Sequence, residues 1–205
     1  MSNRKQNILI IGAGLCGSLL ALRLGQRGYN VSAYEMRPDL RKTDISAGRS
    51  INLAFSDRGN KAMKLVGIED KVKELCIPMN GRMLHDKEGK TFLSNYSGRE
   101  HEYINSISRG ELNGLLLTEA EKHENVNLHF NKKCTSIDFE KTTASFQDYE
   151  TKDKFIEDAD CIIATDGAGS ALRKSYYLER KFLFSFSQEY LTHGYKELSI
   201  LPTET

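Results

Sequence analysis

The chain has 205 residues, of which 39% are hydrophobic, and this is enough apolar material for a substantial core. Its 29 Lys and Arg residues are balanced by 28 Asp and Glu residues. Because the net charge is close to zero, the chain has no field that would hold a polyanion or an anionic membrane surface, and nucleic acid is not an expected partner.

The sequence carries no signal for a membrane or for export. Its longest apolar runs, such as Ile8 to Ile11 and Leu115 to Leu117, are far shorter than the roughly 20 residues of a membrane-spanning helix. Met1 to Gln6 is polar and lacks the apolar region of a secretory signal. The cysteines are scattered without metal-ligand spacing. We therefore expect a cytoplasmic protein with reduced thiols and no structural zinc.

The first 35 residues predict a strand, a glycine turn, a helix and a second strand. Asn7 to Ile11 is a short apolar run that ends at Gly12, and Leu15 to Arg27 carries leucines at mainly helical spacing. Gly28 stops the helix, and Asn30 to Glu35 reads as the second strand. This order is that of a parallel β-α-β crossover unit, so a parallel sheet begins here.

The following segment predicts a polar loop and two helices. The loop leads to the apolar stretch Ile51 to Phe55, after which Ser56 is placed to cap a helix that runs to about Val66. A second short helix covers Glu69 to Leu75 and ends before Pro78.

A hairpin, a strand and a helix are predicted next. Arg82 to His85 and Thr91 to Ser94 flank a turn that contains glycine, which favours a hairpin. Tyr103 to Ser108 is typical of a strand, and Glu111 to His123 has leucines and an alanine on one helical face.

Three short strands then predict an antiparallel meander: Asn125 to Asn131, with Val126, Leu128 and Phe130 inward, a strand around Ser136 to Phe139, and another around Thr143 to Phe146. Cys161 to Ala164 reads as a buried strand, and Ser170 to Tyr177 begins a helix. The chain is therefore predicted to combine a parallel sheet with an antiparallel meander.

The glycine turn carries the clearest functional signal. Gly12-Ala13-Gly14-Leu15-Cys16-Gly17 fits the pattern GxGxxG between a strand and a helix, where the glycines permit a tight turn, the approach of a pyrophosphate and close helix packing. Glu35 ends the second strand, where a carboxylate can accept a bond from a ribose hydroxyl. The unit predicts dinucleotide binding, against the alternative that the glycines only pack a tight turn. It does not decide between FAD and NAD.

Four further blocks identify a family. They are Gly48 to Ala54, Ile77 to Met79, Ser106 to Arg109 and Ala164 to Ser170. In order and spacing, together with the glycine turn and with His193 to Leu198, they resemble the kynurenine 3-monooxygenases, which are single-component flavoprotein aromatic hydroxylases. The resemblance extends from Asn7 to about Ile200, and several motifs in order are more specific than any one of them.

The resemblance implies an α/β fold, with a Rossmann-like FAD-binding domain that has a parallel sheet plus an antiparallel meander, and the start of a mixed-sheet substrate domain. We expect the FAD-binding domain at residues 1–180, with residues 78–105 contributing to the substrate side, and a truncated substrate domain from residue 181 to 205. A strand at Tyr195 to Ile200 lacks an obvious partner. The family's later flavin motif, a Gly-Asp dipeptide, occurs nowhere in the sequence, so the chain looks like the N-terminal half of an enzyme.

The resemblance also assigns cofactor contacts. FAD would lie along the glycine turn, at Gly12, Gly14, Leu15, Cys16 and Gly17, with Glu35 and Arg37 near the adenosine. Ala54 would line the flavin pocket, Arg109 would contact the cofactor, and the backbone at Cys134 would lie beside the adenine. Asp166 with Gly167 would serve the flavin ribose and the passing pyridine nucleotide.

Several of these residues have simpler explanations when they are considered alone. Arg109 is also what an exposed arginine at a helix start looks like. Asp166-Gly167 is a common turn sequence, although a carboxylate followed by glycine suits a sugar hydroxyl beside a close backbone. Arg173, one helical turn further on, would meet either a phosphate or water.

Two residues match the family's substrate positions. Arg82 would clamp the amino acid carboxylate with its planar fork, and Tyr96 would add a hydrogen bond from its phenol. The alternatives are a solvated charge on a strand for Arg82 and a half-buried hairpin residue for Tyr96.

The activity that the resemblance implies is the FAD-dependent hydroxylation of L-kynurenine to 3-hydroxykynurenine, a step of tryptophan degradation and NAD biosynthesis, with NADPH and O₂ consumed. Such chemistry needs no catalytic side-chain nucleophile and no metal, because the cofactor carries it. The alternatives are a flavin hydroxylase of another aromatic acid and a non-catalytic nucleotide-binding fragment. An NAD-dependent dehydrogenase is disfavoured, because the later blocks have no part in it.

Overall fold

The computed structural model describes residues 5–43, 52–99 and 102–194. The predicted strand Tyr195 to Ile200, part of the block from His193 to Leu198, and the first four residues of the block Gly48 to Ala54 lie outside the described residues. Within the described residues the α-helices are α1 Leu15–Gln26, α2 Asp57–Leu65, α3 Glu69–Glu74, α4 Arg109–Glu121 and α5 Ala171–Leu178. The strands are β1 Asn7–Ile11, β2 Asn30–Tyr34, β3 Asn52–Phe55, β4 Ile77–Met79, β5 Gly81–His85, β6 Thr91–Asn95, β7 Ile104–Ser108, β8 Val126–His129, β9 Lys132–Asp138, β10 Thr143–Asp148, β11 Lys154–Asp158 and β12 Cys161–Ala164.

The chain divides into two compact units. The first unit contains Met1–Gly48 and Asn113–Thr205, and the second unit contains Arg49–Leu112. The division falls within α4, so the chain leaves the first unit after β2 and returns to it along this helix.

A parallel sheet forms the centre of the first unit. Its strands lie in the order β12-β1-β2-β8, and each neighbouring pair is parallel. The predicted unit β1-α1-β2 is confirmed. A glycine explains how closely α1 can lie to the sheet, because a Cβ added at Gly25 would collide with the side chain of Val126 in β8.

The antiparallel meander is present, and two of its three strands correspond to predicted ones, those around Ser136 to Phe139 and Thr143 to Phe146. It consists of β9, β10 and β11 in the order β11-β10-β9. The prediction that the strand Asn125 to Asn131 starts the meander is wrong, because β8 pairs with β2 in the parallel sheet. The third meander strand, Lys154–Asp158, was missed because its only two apolar residues, Phe155 and Ile156, are adjacent and flanked by charged residues, so that no alternating pattern marks it.

The meander packs against one face of the parallel sheet. Leu9 and Ile11 of β1 form a buried cluster with Tyr34, Ala144 and Phe146. Because side chains alternate along a strand, Ile8 and Ile10 point to the opposite face, where they are also buried. Cys161, predicted to be buried, is exposed, since β12 is the edge strand of the described sheet.

A hydroxyl ties α5 to the edge of the meander. The Ser175 hydroxyl in α5 accepts a hydrogen bond from the Ile137 N–H of β9 at 3.1 Å and donates to the Ala171 carbonyl at 3.0 Å. Beside this contact the β9–β10 register shifts between Ser145 and Phe146, which marks a bulge. The N–H group of an edge strand is thereby satisfied without another strand.

The second unit has an antiparallel sheet in the order β3-β7-β4 and a separate hairpin, β5-β6. The hairpin and the two helices are confirmed, but Ser56 only occupies the N-cap position of α2 and its side chain makes no capping hydrogen bond. Strand β4 was missed because it contains Pro78. A proline is compatible with a strand at the edge of a sheet, which is where β4 lies.

Candidate functional site

Two of the three motif glycines are required by the packing of the protein itself. Gly12 has φ +91, and a Cβ there would lie 2.8 Å from the carbonyl oxygen of Thr165. A Cβ at Gly17 would overlap the carbonyl oxygen of Gly12. The turn between β1 and α1 therefore cannot form in this shape with side chains at Gly12 or Gly17.

Gly14 is different, because its surroundings are open. Its backbone is extended, with φ −68 and ψ −172, and a Cβ there would meet only the Arg37 Nη2 atom, at 4.0 Å. The first turn of α1, which begins at Leu15 and the exposed Cys16, has no side-chain cap and no acidic residue. An uncapped helix N-terminus beside open backbone and a guanidinium fits the pyrophosphate of a dinucleotide.

The carboxylate of Glu35 holds the turn from the end of β2. Its Oε2 atom accepts a hydrogen bond from the Ala13 N–H at 3.0 Å, and its Oε1 atom accepts from the Arg37 N–H at 2.9 Å and from Arg37 Nε at 2.8 Å. Burial raises the pKa of Glu35, but these hydrogen bonds and the Arg37 charge outweigh it and lower the pKa below its ordinary value. Glu35 therefore stays ionised at neutral pH.

Arg37 lies beside the same turn. Its side chain is 63% exposed, whereas that of Glu35 is 8% exposed. The guanidinium is thus anchored by a buried carboxylate and leaves donor groups open to solvent next to Gly14. Such an arrangement suits a charged ligand group that arrives from solvent.

Two residues that sequence reasoning missed also hold the turn. The Asn113 amide of α4, only 5% exposed, donates from Nδ2 to the Ala13 carbonyl at 3.1 Å. The Thr165 hydroxyl, just after β12, donates to the Gly12 carbonyl at 2.6 Å. A sequence signal existed for Asn113, because it shares the helical face of the buried Leu116, Leu117 and Ala120. No comparable signal marks Thr165.

The second predicted motif forms the start of α5. The Asp166 Oδ2 atom accepts from the Ala171 N–H at 2.6 Å, and the Ser170 hydroxyl accepts from the Arg173 N–H at 3.1 Å. Gly167 has φ +72 and begins an exposed 3₁₀ turn, Gly167–Gly169. The Arg173 guanidinium bonds the carbonyls of Gly167 and Ala168, so it contacts the motif's own backbone.

Cys134 lies in β9 and its side chain belongs to the buried core cluster. Burial, and next the charge of Asp166, raise the pKa of its thiol to about 12. The thiol is therefore un-ionised and inert at neutral pH. The predicted adenine contact concerns its backbone and stays a prediction.

Two predicted flavin contacts, Ala54 and Arg109, belong to the second unit. Ala54 is exposed on β3, opposite Ser106 of β7. Arg109 is the first residue of α4 and is exposed. This is the position of an exposed helix-start arginine, and it is equally open to a ligand, so both interpretations of Arg109 remain.

The structure brings the two predicted substrate residues together. Arg82 lies on β5 and Tyr96 follows β6, and the hairpin places the Arg82 Nε atom 3.4 Å from the Tyr96 hydroxyl. The Arg82 guanidinium carbon also lies 5.3 Å from the centre of the Tyr96 ring, a cation–π contact. Tyr96 is itself fixed by a backbone hydrogen bond to the Asn80 carbonyl at 3.0 Å.

Within the described parts of the chain, no helix is both long and apolar enough to cross a membrane. Over the same residues, no group of three or more His, Cys, Asp or Glu side chains is arranged to hold a metal ion.

The parallel sheet, the glycine turn and the buried carboxylate define a dinucleotide-binding domain of the Rossmann type. Solved structures show the same fold. A p-nitrophenol 4-monooxygenase from Pseudomonas putida matches 83% of this chain and 43% of its own, with a TM-score of 0.65 and 18% identity. A flavin-dependent monooxygenase solved with FAD and substrate matches 86% and 33%, with a TM-score of 0.69 and 18% identity.

Sequence comparison then gives the family. Residues 5–185 match the FAD binding domain, and the chain belongs to this family. FAD is therefore the cofactor of the domain, which agrees with the open backbone at Gly14. The α/β fold that was predicted is confirmed.

Named relatives confirm the resemblance that the motifs indicated. A kynurenine 3-monooxygenase of Anopheles gambiae is 45% identical over 99% of this chain, and one of Myxococcus xanthus is 41% identical over 96%. The chain spans 41% and 42% of the lengths of these two relatives.

Proposed function

We propose that a protein containing this chain hydroxylates L-kynurenine to 3-hydroxykynurenine, with FAD bound and with NADPH and O₂ consumed. The names of relatives at 41% and 45% identity support this assignment. Among the structural observations, the contact between Arg82 and Tyr96 carries it furthest, because it joins a cation and a phenol on one hairpin.

The chemistry of this pair fits an amino acid substrate. The Nε atom of Arg82 lies against the Tyr96 hydroxyl, which leaves the two Nη atoms of the guanidinium for a ligand. A planar pair of N–H donors matches the two oxygens of a carboxylate. Arg82 is exposed on the hairpin. We infer that the Arg82 side chain would be shielded from water by the bound substrate and by the part of the protein that follows this chain.

At the cofactor end, we propose that the FAD pyrophosphate lies along the glycine turn, with Gly12, Gly14 and Gly17 shaping the backbone and Leu15 and Cys16 supplying the first turn of α1. When bound, FAD supplies the electron transfer between NADPH and O₂ that hydroxylation requires. The side chains bind, orient and exclude water.

We assign the remaining cofactor contacts as the motifs predict. Glu35 and Arg37 would meet the adenosine, and the backbone at Cys134 would meet the adenine. Asp166 with Gly167 would serve the flavin ribose and the pyridine nucleotide, and the other two predicted contacts are Ala54 and Arg109. We also propose a cytoplasmic location and a domain division with the FAD-binding domain at residues 1–180, a substrate-side contribution from residues 78–105, and a substrate domain that begins at residue 181.

The test uses a protein that carries this chain together with the remainder of the relatives' length. NADPH oxidation is followed with and without L-kynurenine, and the product is identified by its mass, which rises by one oxygen atom. We expect kynurenine to stimulate oxidation and to be hydroxylated. Kynuramine, which lacks the carboxylate, should stimulate it far less, because it offers Arg82 nothing to clamp.

Two outcomes would contradict the proposal. If p-hydroxybenzoate were hydroxylated faster than kynurenine, the protein would be a hydroxylase of another aromatic acid. If flavin bound but neither compound were hydroxylated, the protein would be a non-catalytic nucleotide-binding protein. Equal stimulation by kynurenine and kynuramine would leave the reaction assigned and remove the role of Arg82.

A further inference from the structure

The peptide groups around Ala13 are fixed by three side chains from distant parts of the chain. The N–H of Ala13 donates to Glu35 Oε2 at 3.0 Å, and the carbonyl of Gly12, in the same peptide group, accepts from the Thr165 hydroxyl at 2.6 Å. The carbonyl of Ala13, in the next peptide group, accepts from the Asn113 amide at 3.1 Å. The first two bonds therefore fix the rotation of the Gly12–Ala13 peptide group, and the third fixes that of the Ala13–Gly14 peptide group.

Peptide planarity determines what the Asn113 bond does. In a trans peptide the carbonyl of one residue and the N–H of the next point in opposite directions. When Asn113 holds the Ala13 carbonyl on one side, the N–H of Gly14 must point to the other. Among the described residues no hydrogen bond partner is found for the Gly14 N–H. This donor belongs to the glycine whose surroundings are open apart from Arg37.

The helix that carries Asn113 is itself held in place within the first unit. Arg41 Nη1 bonds Glu121 Oε2 at 2.8 Å, and Arg41 also bonds Asp39 through Nε at 2.9 Å. Leu116 and Leu117 of α4 are almost fully buried. The Asn113 amide is therefore presented from a fixed element, as a group that orients another group must be.

We propose that Asn113 is a positioning residue for FAD binding, which acts by aiming the Gly14 N–H at the cofactor pyrophosphate. The inference rests on the proposed placement of the pyrophosphate at the glycine turn. Asn113 itself does not touch the cofactor. Removing its donor frees the Ala13–Gly14 peptide to rotate, and the amide is then no longer pre-oriented when the phosphate arrives.

The test replaces the amide with an isosteric group that donates only when protonated. In Asn113→Asp, an ionised carboxylate cannot donate to the Ala13 carbonyl and is repelled by it, whereas a protonated carboxyl donates in the same place. Burial raises the pKa of such a carboxyl, so both forms are reachable. FAD affinity is measured by flavin fluorescence on the folded protein at pH 8 and at pH 5.5.

We expect the FAD dissociation constant of Asn113→Asp to be about tenfold above that of the unmodified chain at pH 8, and within about threefold of it at pH 5.5. The matched control is Asn125→Asp. Asn125 also donates to backbone carbonyls, those of Gly25 and Tyr29 at 2.9 and 2.7 Å, but at the far end of α1. The control should lose stability without a pH-dependent change in FAD affinity.

A purely structural role for Asn113 would lower the thermal stability of Asn113→Asp and leave the affinity of its folded fraction unchanged, and this result would overturn the proposal. If the variant does not fold, Asn113→Ala is titrated at pH 8, where an unchanged dissociation constant has the same meaning. Gly14→Val tests the placement of the pyrophosphate at the turn separately from the role of Asn113. If it leaves FAD affinity unchanged, the pyrophosphate does not lie at the turn, and both the placement and the role of Asn113 are wrong.

Discussion

Gly14 and Gly17 differ in why each lacks a side chain, and paired substitutions can measure the difference. Gly14 has an extended backbone that any residue adopts, and a methyl group there would be 4.0 Å from its nearest neighbour, Arg37 Nη2. Gly14→Ala should therefore not destabilise the chain. Because alanine restricts the unfolded chain more than glycine does, it should stabilise the fold by about 0.4–1 kcal/mol.

The same methyl group should weaken the binding of FAD. If the pyrophosphate approaches the backbone at Gly14, the methyl group occupies the approach space, and overpacking of this kind costs about 1–3 kcal/mol. That corresponds to a loss of roughly 5- to 150-fold in affinity. Gly17→Ala should instead destabilise the fold, because its Cβ would overlap the Gly12 carbonyl oxygen and the backbone of the turn would have to shift.

The assay is thermal unfolding of both variants, followed by FAD titration of those that fold. For a chain of this size, 1 kcal/mol shifts Tm by about 2–4 °C. We expect Gly14→Ala to have an unchanged or higher Tm and weaker FAD binding, and Gly17→Ala to have a much lower Tm or no transition. Wild-type FAD affinity in Gly14→Ala would refute the reasoning, because the open side of the turn would then not face the cofactor.

Glu35→Ala in the full-length protein should weaken FAD binding while kynurenine affinity at saturating FAD stays nearly constant; an equal loss of both would contradict this division of roles. The folded-state pKa of Glu35 is lowered, so the contribution of its carboxylate to stability is present above the unfolded-state pKa and is lost as the pH falls through the folded-state pKa. Glu35→Gln should therefore remove this part of the acid unfolding, which is measured by circular dichroism. Arg82→Met should cost about 2–4 kcal/mol in kynurenine affinity, and Arg82→Lys should recover only part of this loss. The matched control is Arg99→Met, since Arg99 is also exposed. If the kynurenine affinity of Arg82→Met changes less than about threefold, Arg82 is a solvated charge. Ser175→Ala should lower the free energy of unfolding by about 1–3 kcal/mol, because it leaves the Ile137 N–H of β9 unpaired, and no measurable change would show that water replaces the hydroxyl.

The first 35 residues were predictable because the signals for β1, α1 and β2 are local. Each signal depends on residues only a few positions apart: an apolar strand, a turn that needs positive φ at Gly12, and a helix with leucines on one face. The alternation of Val126, Leu128 and Phe130 equally predicted a strand. It could not predict the partner of that strand, because a period of two residues is common to parallel and antiparallel pairing.

The candidate site likewise has a part that the sequence predicts and a part that it does not. The glycines and Glu35 follow from a known spacing, and the structure places Glu35 against the turn. The contacts of Asn113 and Thr165 with that turn join residues about a hundred or more positions apart, and they depend on how α4 and β12 are placed in the fold. Sequence patterns identify which backbone forms the turn, whereas only the fold shows which side chains hold it.

Glu35 shows why a residue can serve the protein and its ligand together. An ionised carboxylate has about four acceptor positions. In Glu35 three of them accept bonds of 2.8–3.0 Å from Ala13 N–H, Arg37 N–H and Arg37 Nε, and the fourth accepts a longer bond of 3.4 Å from Arg37 Nη2. The long bond from Arg37 Nη2 is therefore the one that a ribose hydroxyl would replace. Since Arg37 is 63% exposed, it can also exchange its contact with Glu35 for one with the ligand. The loss of FAD affinity in Glu35→Ala must then combine a missing ligand contact with a loosened turn. Substitution of Asn113, which hydrogen-bonds the turn through the Ala13 carbonyl, separates the second effect from the first.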